Sequence, residues 1–437
     1  MKDQLTLITG KLLIDGNGGS PLENGAILIK GDVIEQVGSV DSIKLSPNAN
    51  VKKINYKDKT LLPGLIDGHV HLNGFGDGRS GNDLALLPDE ILTLQSAKNA
   101  QTHLYSGVTT VRDLGAKNRT TFLLRESINM GITVGPRLVL CGRPMAIVGG
   151  HLSYFGIEAT GIVECIREVR QNIKEGADCI KITATGGSTK TSFPFRPSFN
   201  VDEMKAIVDE AHKFGKHTAA HCTNLQGIKN ALDAGIDTLI HCVFLDAEGA
   251  AAPDLDVVKR IAEQGIYVNP TLSQSLVSIK NLEEKPELTP EEQKLLNQMK
   301  GKKGTNNRKP RIDETKKMLE MGVKLIAGSD ASWQYYPMGG FQYELESFVY
   351  EVGLTPMEAI VSATRDCARS LWIDKEIGTL EKGKKADILI VDGDPSKDIK
   401  KLWNIEEVFL GGNPVLPTDN TINALKGSSL NNNQIDR

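Results

Sequence analysis

Hydrophobic and polar positions divide the chain into two terminal stretches of one rhythm and a long middle of another. From about residue 5 to 60, short apolar runs recur: Leu5-Thr6-Leu7-Ile8-Thr9, Ala26-Ile27-Leu28-Ile29 and Val33-Ile34-Glu35-Gln36-Val37. Turn clusters such as Asp15-Gly16-Asn17-Gly18-Gly19 and Lys30-Gly31-Asp32 separate them, the grammar of strands and tight turns. The same grammar returns after about 375, in Ile377-Gly378-Thr379-Leu380, Asp387-Ile388-Leu389-Ile390-Val391 and Val408-Phe409-Leu410-Gly411-Gly412. Neither end alone holds enough strands for a stable sheet. Both ends are therefore expected to combine into one small β-sandwich, residues 1–62 and 373–437 forming its two parts.

The middle, 63–372, alternates differently. A helical stretch closes on glycine and a short apolar strand follows at once, at Gly107, Gly176, Gly215, Gly235, Gly265 and Gly322. Glycine ends a helix by taking the left-handed conformation without a side-chain penalty. Strands at 65–71 and 137–142 bring the number to eight. Eight βα units in about 300 residues predict a (β/α)8 TIM barrel inserted into the sandwich, an α/β fold. A doubly wound sheet is the structural alternative, but it calls for a Gly-x-Gly-x-x-Gly turn that the chain lacks. Residues 280–311 break the rhythm. They are polar and rich in Lys and Glu, which reads as a solvated helix pair or insertion, or as a lid over the strand ends. The tail 426–437 is Ser/Asn-rich and is expected to fray.

Composition narrows the class. A net charge of -4 gives no reason to expect nucleic acid or an anionic membrane as partner. No apolar run approaches the length of a membrane span, and the N-terminus lacks a signal-peptide core. The basic stretch Lys300-Gly301-Lys302-Lys303 is too short to change this. Cys141, Cys165, Cys179, Cys222, Cys242 and Cys367 show no Cys-x-x-Cys pairing. They are expected to be reduced, buried thiols in a cytoplasmic protein. A homo-oligomer is left open.

The candidate chemistry lies at the ends of the expected strands, where a barrel of this type carries its active site. His69 and His71 close the run Pro63-Gly64-Leu65-Ile66-Asp67-Gly68-His69-Val70-His71. Residues i and i+2 of a strand share a face, so both imidazoles point one way. His221 ends the fifth strand, His241 the sixth and Asp330 the eighth. Imidazoles and a carboxylate so gathered suit zinc or a similar divalent ion. Lys181 lies inside the apolar fourth strand, where burial disfavours an ammonium. A neutral amine there can take up carbon dioxide as a carbamate, a bidentate anionic ligand; the alternative is a lysine that snorkels to solvent.

These segments are similar to the amidohydrolase superfamily, in its imidazolonepropionase and prolidase-like (Xaa-Pro dipeptidase-like) branch. The family's first-strand signature matches residues 63–71. Its carboxylated lysine matches Lys181 within Ile180-Lys181-Ile182-Thr183-Ala184-Thr185-Gly186-Gly187, and its remaining ligands match His221, His241 and Asp330. The resemblance implies two divalent metals, His69, His71 and Asp330 on one, His221 and His241 on the other. Carboxylated Lys181 and a hydroxide would bridge them. It further implies hydroxide attack on a small-molecule amide, with Asp330 shuttling the proton. His151, closing Val148-Gly149-Gly150-His151, and Tyr267 in the seventh strand match places that hold or polarise the scissile carbonyl. The alternatives are a loop-stabilising His151 and a core-packing Tyr267. Arg112-Asp113 and Arg196 could bind an anionic substrate group or pair with neighbours. His103 and His212 fall on helix patterns and are read as structural; His217 starts the fifth strand at its far end and is assigned no role.

Two departures shape the expectation. Many prolidase-like members carry a histidine just after the strand-eight aspartate. Here that loop is Ala331-Ser332-Trp333-Gln334-Tyr335-Tyr336-Pro337-Met338-Gly339-Gly340, aromatic instead, which favours apolar or aromatic substrates. Deaminases of the superfamily keep a glutamate where this chain has Asn224, which counts against a mononuclear deaminase. The favoured substrate is a dipeptide or N-acyl amino acid. The alternatives are hydrolysis of a urea, carbamate or cyclic amide, and a catalytically silent binding protein.

Overall fold

A computed structural model describes residues 4–301 and 308–415. The tail 426–437, Lys302 and Lys303 lie outside the described residues.

The two chain ends do meet. They form a seven-stranded sheet in the order Asn413–Pro414, Ile405–Leu410, Ile388–Asp392, Val51–Pro63, Leu5–Leu13, Leu22–Lys30, Val33–Ser39. The strand Val51–Pro63 joins the halves. It runs parallel to Leu5–Leu13 on one side and antiparallel to Ile388–Asp392 on the other, with Leu62 opposite Leu389. Leu62, Leu389, Val391 and Val408 are buried in the main core, while Ile8, Ile27, Leu61, Ile388 and Ile390 pack in a cluster of their own. Alternate residues thus bury both faces, as the period of two requires. One expected strand is absent: residues 377–379 form bends and 380 is irregular, with the Leu380 N–H donating to the Asp15 carbonyl. The run is too short and too close to Gly378 and Gly383 to extend.

Among the described residues the middle carries eight parallel strands: Leu65–Val70, Val108–Asp113, Arg137–Leu140, Cys179–Ile182, His217–His221, Thr238–Ile240, Tyr267–Asn269 and Lys324–Leu325. The first three form one sheet and the last five another, each in chain order. Isolated parallel bridges Met145–Ile182 and Val70–Ala331 connect the two sheets at both seams. Helices lie between the strands. Helix Gly161–Glu175 buries Cys165, Val169 and Asn172, the i, i+4, i+7 spacing of one face. It stops at Gly176, whose φ of 112° only glycine takes freely. Helix Val201–Lys213 starts at Asn200, whose side chain accepts from the Glu203 N–H in a reciprocal capping box. Among the described residues, no helix is long and apolar enough to cross a membrane. All six cysteines are free and buried.

In 280–311 the helix Ser273–Glu283 is followed by Pro290–Met299, and helix Arg308–Glu320 then leads to the eighth strand. Leu282, Leu296 and Met299 form a small core with Leu288 and Tyr335.

Candidate metal centre

Strand alternation explains how the first ligands come together. His69 lies within the first strand and His71 one residue past its end, and their Nε2 atoms are 3.3 Å apart. Asp330 reaches them from the far edge of the second sheet. Its N–H donates to the His69 carbonyl at 2.8 Å, and its Oδ1 stands 3.4 Å from His69 Nε2 and 3.5 Å from His71 Nε2. All three ligand atoms lie within 4.8 Å of one another.

A second group adjoins the first. The His221 ring is 4.6 Å from the His241 ring, centroid to centroid, and His241 is 5.6 Å from His69. His151 stands 4.5 Å from His221. Lys181, on the inner face of the fourth strand, is 1% exposed. Asp330 and His241 both sit at positive φ, 55° and 65°, conformations uncommon outside glycine. Backbone strain collected at one place marks a site that the surrounding fold holds under tension.

Each ring is oriented from behind. His69 Nδ1 meets Asn269 Oδ1 at 3.2 Å, His71 Nδ1 meets the Gly115 carbonyl at 3.0 Å, and His241 Nδ1 meets Thr271 Oγ1 at 2.7 Å. His221 bonds to the Gly186 backbone, and its Nε2 is buried with no hydrogen-bond partner among the described residues. Outer-shell partners of this kind leave one nitrogen of each ring for a metal. Asp67 adds a deeper support: it accepts from the His69 N–H and from Ser329, and pairs with His103 at 2.9 Å.

Electrostatics points the same way. Burial pushes His71 and His151 down to about 3. It also holds His69, His221 and His241 well below the usual imidazole range, with the Lys181 charge adding to the effect. Neutral imidazole is the form that binds a metal. Burial lowers Lys181 to about 8, against the pull of Asp330. Burial raises Asp330 to about 7, against the pull of Lys181. A neutral-imidazole cluster with a carboxylate and a readily deprotonated amine fits a divalent metal site.

The remaining sequence candidates separate. His151 joins the cluster, its Nδ1 3.1 Å from Thr189 Oγ1. The lack of a side chain at Gly187 makes room for it, since a Cβ there would lie 2.6 Å from the His151 ring. Tyr267 does not join. It starts the seventh strand, packs beside Ile66, Cys179 and Ala219, and has Lys324 over its ring at 5.5 Å. Alternation gives Tyr267 and Asn269 one face, but Asn269 is a full repeat nearer the histidines. Arg112 and Asp113 are also not at the mouth. Arg112 is buried between the strands, and Asp113 accepts from the Leu72 and Gly115 N–H groups, bracing the chain after His71. Arg196 is exposed on a loop. Asn224 caps the helix Leu225–Ala234. His103 and His212 pair with Asp67 and Asp237.

Sequence reasoning missed several neighbours. Asn269 lies two residues beyond Tyr267, and its place at the end of the seventh strand was its signal. Thr271, Thr189 and Arg311 carried no local signal. Arg311 donates to the Pro270 carbonyl and to Thr271 Oγ1 at 3.2 Å, so it braces the residue that braces His241. The mouth is aromatic. Trp333 lies 5.1 Å from the His71 ring and 6.2 Å from Phe155. Tyr154 is close enough to feel the Asp330 charge. The helices of 280–311 pack on this loop: Tyr335 donates to Glu292 at 2.7 Å, and Asn281 donates to the Tyr335 carbonyl.

The model of the "Amidohydrolase family" matches residues 60–415. Ochratoxinase of Aspergillus niger is 28% identical, over 94% of this chain and 86% of its own length. A solved structure described as a Xaa-Pro dipeptidase with bound methionine in the active site superposes with a TM-score of 0.80. It is 30% identical and covers 95% of this chain and all of its own. A putative prolidase from Bifidobacterium longum gives 0.76 at 27% identity, over 99% of this chain and 100% of its own. On this evidence the chain belongs to the amidohydrolase family and is a hydrolase acting on C–N bonds.

Proposed function

We propose that this chain is a binuclear metal-dependent amidohydrolase cleaving the amide bond of a dipeptide or N-acyl amino acid, with an apolar or aromatic group favoured at the mouth. The observation that carries this reading is the convergence of His69, His71 and Asp330 within 4.8 Å, with His221, His241 and Lys181 beside them. The eight parallel strands act as a (β/α)8 barrel on which 63–372 is built, and 1–62 with 373–437 form the accessory β-unit.

His69, His71 and Asp330 would hold one ion, His221 and His241 the other, and Lys181 as its carbamate would serve both. Zinc suits this nitrogen and oxygen donor set. Bound there, such ions supply Lewis acidity and a water of lowered pKa.

The protein's own groups do the rest. Asp330 accepts a proton at its carboxyl from the attacking water and returns it to the departing nitrogen. In the tautomer in which the Thr189 hydroxyl donates to His151 Nδ1, the Nε2–H of His151 would donate to the substrate carbonyl. Trp333, packed on the buried Phe155, lines the entrance, excludes water and offers a ring face to a substrate side chain. The Xaa-Pro dipeptidase likeness and the amide-compatible site support this substrate class.

The aromatic mouth also favours a second reading, hydrolysis of an aryl urea, carbamate or cyclic amide. Activity screened on N-acyl amino acids against aryl ureas separates the two. Metal content per chain tests the site itself: near two is expected, near one indicates a mononuclear site, and near zero a silent binding protein. Lys181→Ala is expected to lose both metal and activity; full retention of both would overturn the bridging role.

A further inference from the structure

Below the expected metal ligands, toward the N-terminal ends of the parallel strands, four buried polar side chains point into the interior that the strands share. Alternation places them there. Arg112 and Thr110 share the inner face of the second strand. His217 shares the face of Ala219 and His221 in the fifth, and Thr238 that of Ile240 in the sixth. Ala219 and Ile240 pack inside the strands with Cys141, Cys179 and Cys367. The exposures of Thr110, Arg112, His217 and Thr238 are 0, 0, 2 and 0%. His217 precedes His221 by four residues, so it sits about 13 Å lower along the strand.

These groups share one deficiency. Arg112 Nε donates to the Gly68 carbonyl at 2.8 Å, but Nη1 and Nη2 are buried with no hydrogen-bond partner among the described residues. The same holds for His217 Nε2, Thr110 Oγ1 and Thr238 Oγ1. The guanidinium charge is close enough to His217 to depress its protonation further, after burial itself. A guanidinium stays charged in a protein. A buried ion without a counter-charge is costly. Among the described residues no carboxylate lies within ion-pair distance of Arg112. The nearby Asp237 is already taken by His212 and by the Thr218 N–H and hydroxyl. Water would satisfy the hydrogen bonds but not the charge. A small anion does both.

We infer that this space binds one small monovalent inorganic anion of the halide class, held by the two free nitrogens of Arg112, by His217 Nε2–H and by the Thr110 and Thr238 hydroxyls. Every one of these groups can donate. The surrounding thiols and aliphatic side chains offer no competing base and suit a weakly hydrated ion. At the N-terminal end Trp372, 48% exposed, packs with its ring tilted against His217 at 5.9 Å and His212 at 5.6 Å. The site owes nothing to the choice of substrate above.

Crystals of the full chain prepared throughout in sodium bromide test this directly. An anomalous bromine peak within hydrogen-bond reach of Arg112 is expected; a water there without anomalous signal overturns the proposal. Thermal melts of the metal-loaded protein in bromide against gluconate, at equal ionic strength, give a second reading. The wild type is expected to gain several degrees in bromide. Thr238→Val removes only a hydroxyl and should fold in either salt. It is expected to lose most of that gain, and Arg112→Met all of it. An unchanged bromide increment in Thr238→Val and no increment in the wild type both count against the site.

Discussion

The Thr271 hydroxyl lies 2.7 Å from Nδ1 of His241, the shortest of the bonds that orient the clustered imidazoles from behind. Thr271 is itself at a positive φ of 51°, strained for a β-branched residue, and Arg311 bonds to it across 40 residues of sequence. The helix that follows the 280–311 insertion is thereby tied to one metal ligand. Thr271→Val keeps the shape and removes the bond. It is expected to lower affinity for the second metal, or activity, about 10- to 100-fold, with the His69–His71–Asp330 metal retained. Metal titration followed by elemental analysis would show stoichiometry falling from two toward one.

Gly187→Ala places a Cβ 2.6 Å from the His151 ring without any backbone strain, since Gly187 is not at positive φ. The imidazole must shift. With His151 in its proposed role at the substrate carbonyl, that shift is expected to cost about 10²-fold in kcat, while metal content stays the same. Steady-state kinetics with metal analysis checks both.

Trp333→Ala removes the ring beside His71 and Phe155. An aromatic contact is worth about 0.5–1.5 kcal/mol, so kcat/KM for aryl-bearing amides is expected to fall about 3- to 10-fold. Aliphatic substrates should change little. A paired comparison of N-acyl phenylalanine and N-acyl alanine substrates reads the difference.

Glu344 is buried and accepts from the Leu272 and Ser273 N–H groups. Burial raises its carboxyl from 4.5 to about 7, with those bonds and Arg311 pulling the other way. The folded chain therefore holds a proton that the unfolded chain releases near 4.5. The contribution to stability is full below pH 4.5 and is lost as pH rises through 7, a change of about 3 kcal/mol. Glu344→Gln lacks this slope. Urea unfolding from pH 4.5 to 8.5 should show the wild type falling relative to the variant; parallel curves would contradict the assignment.

Much of the frame could be read without coordinates. Helix ends are local events, so Gly176 and its counterparts announced where the parallel strands begin. The alternation around His69 and His71 put two imidazoles on one face, and a lysine inside an apolar strand stood out as a charge with nowhere to go. The run 377–380 read as a strand because it is apolar, yet no neighbouring edge pairs with it along its length. Pairing is a long-range decision that four residues do not make.

Level along a strand was the other illegible quantity. Tyr267 and Asn269 share a face, and the period of two cannot say which stands beside the histidines. Arg112 looked like a residue of the mouth because it ends a strand, but its long side chain turns down into the strand interior, where Gly68 offers a carbonyl. What the sequence determined by itself was local: which residues face inward, where helices stop, and which side chains are candidates for metal chemistry. What only the tertiary structure decided was who meets whom. Asn269 supports His69 from 200 positions away, Asp330 reaches His69 from the opposite edge of the fold, and Arg311 reaches His241 only through Thr271. Those contacts depend on strand register and on how far each side chain extends into a shared interior, and neither is written in any local window of the chain.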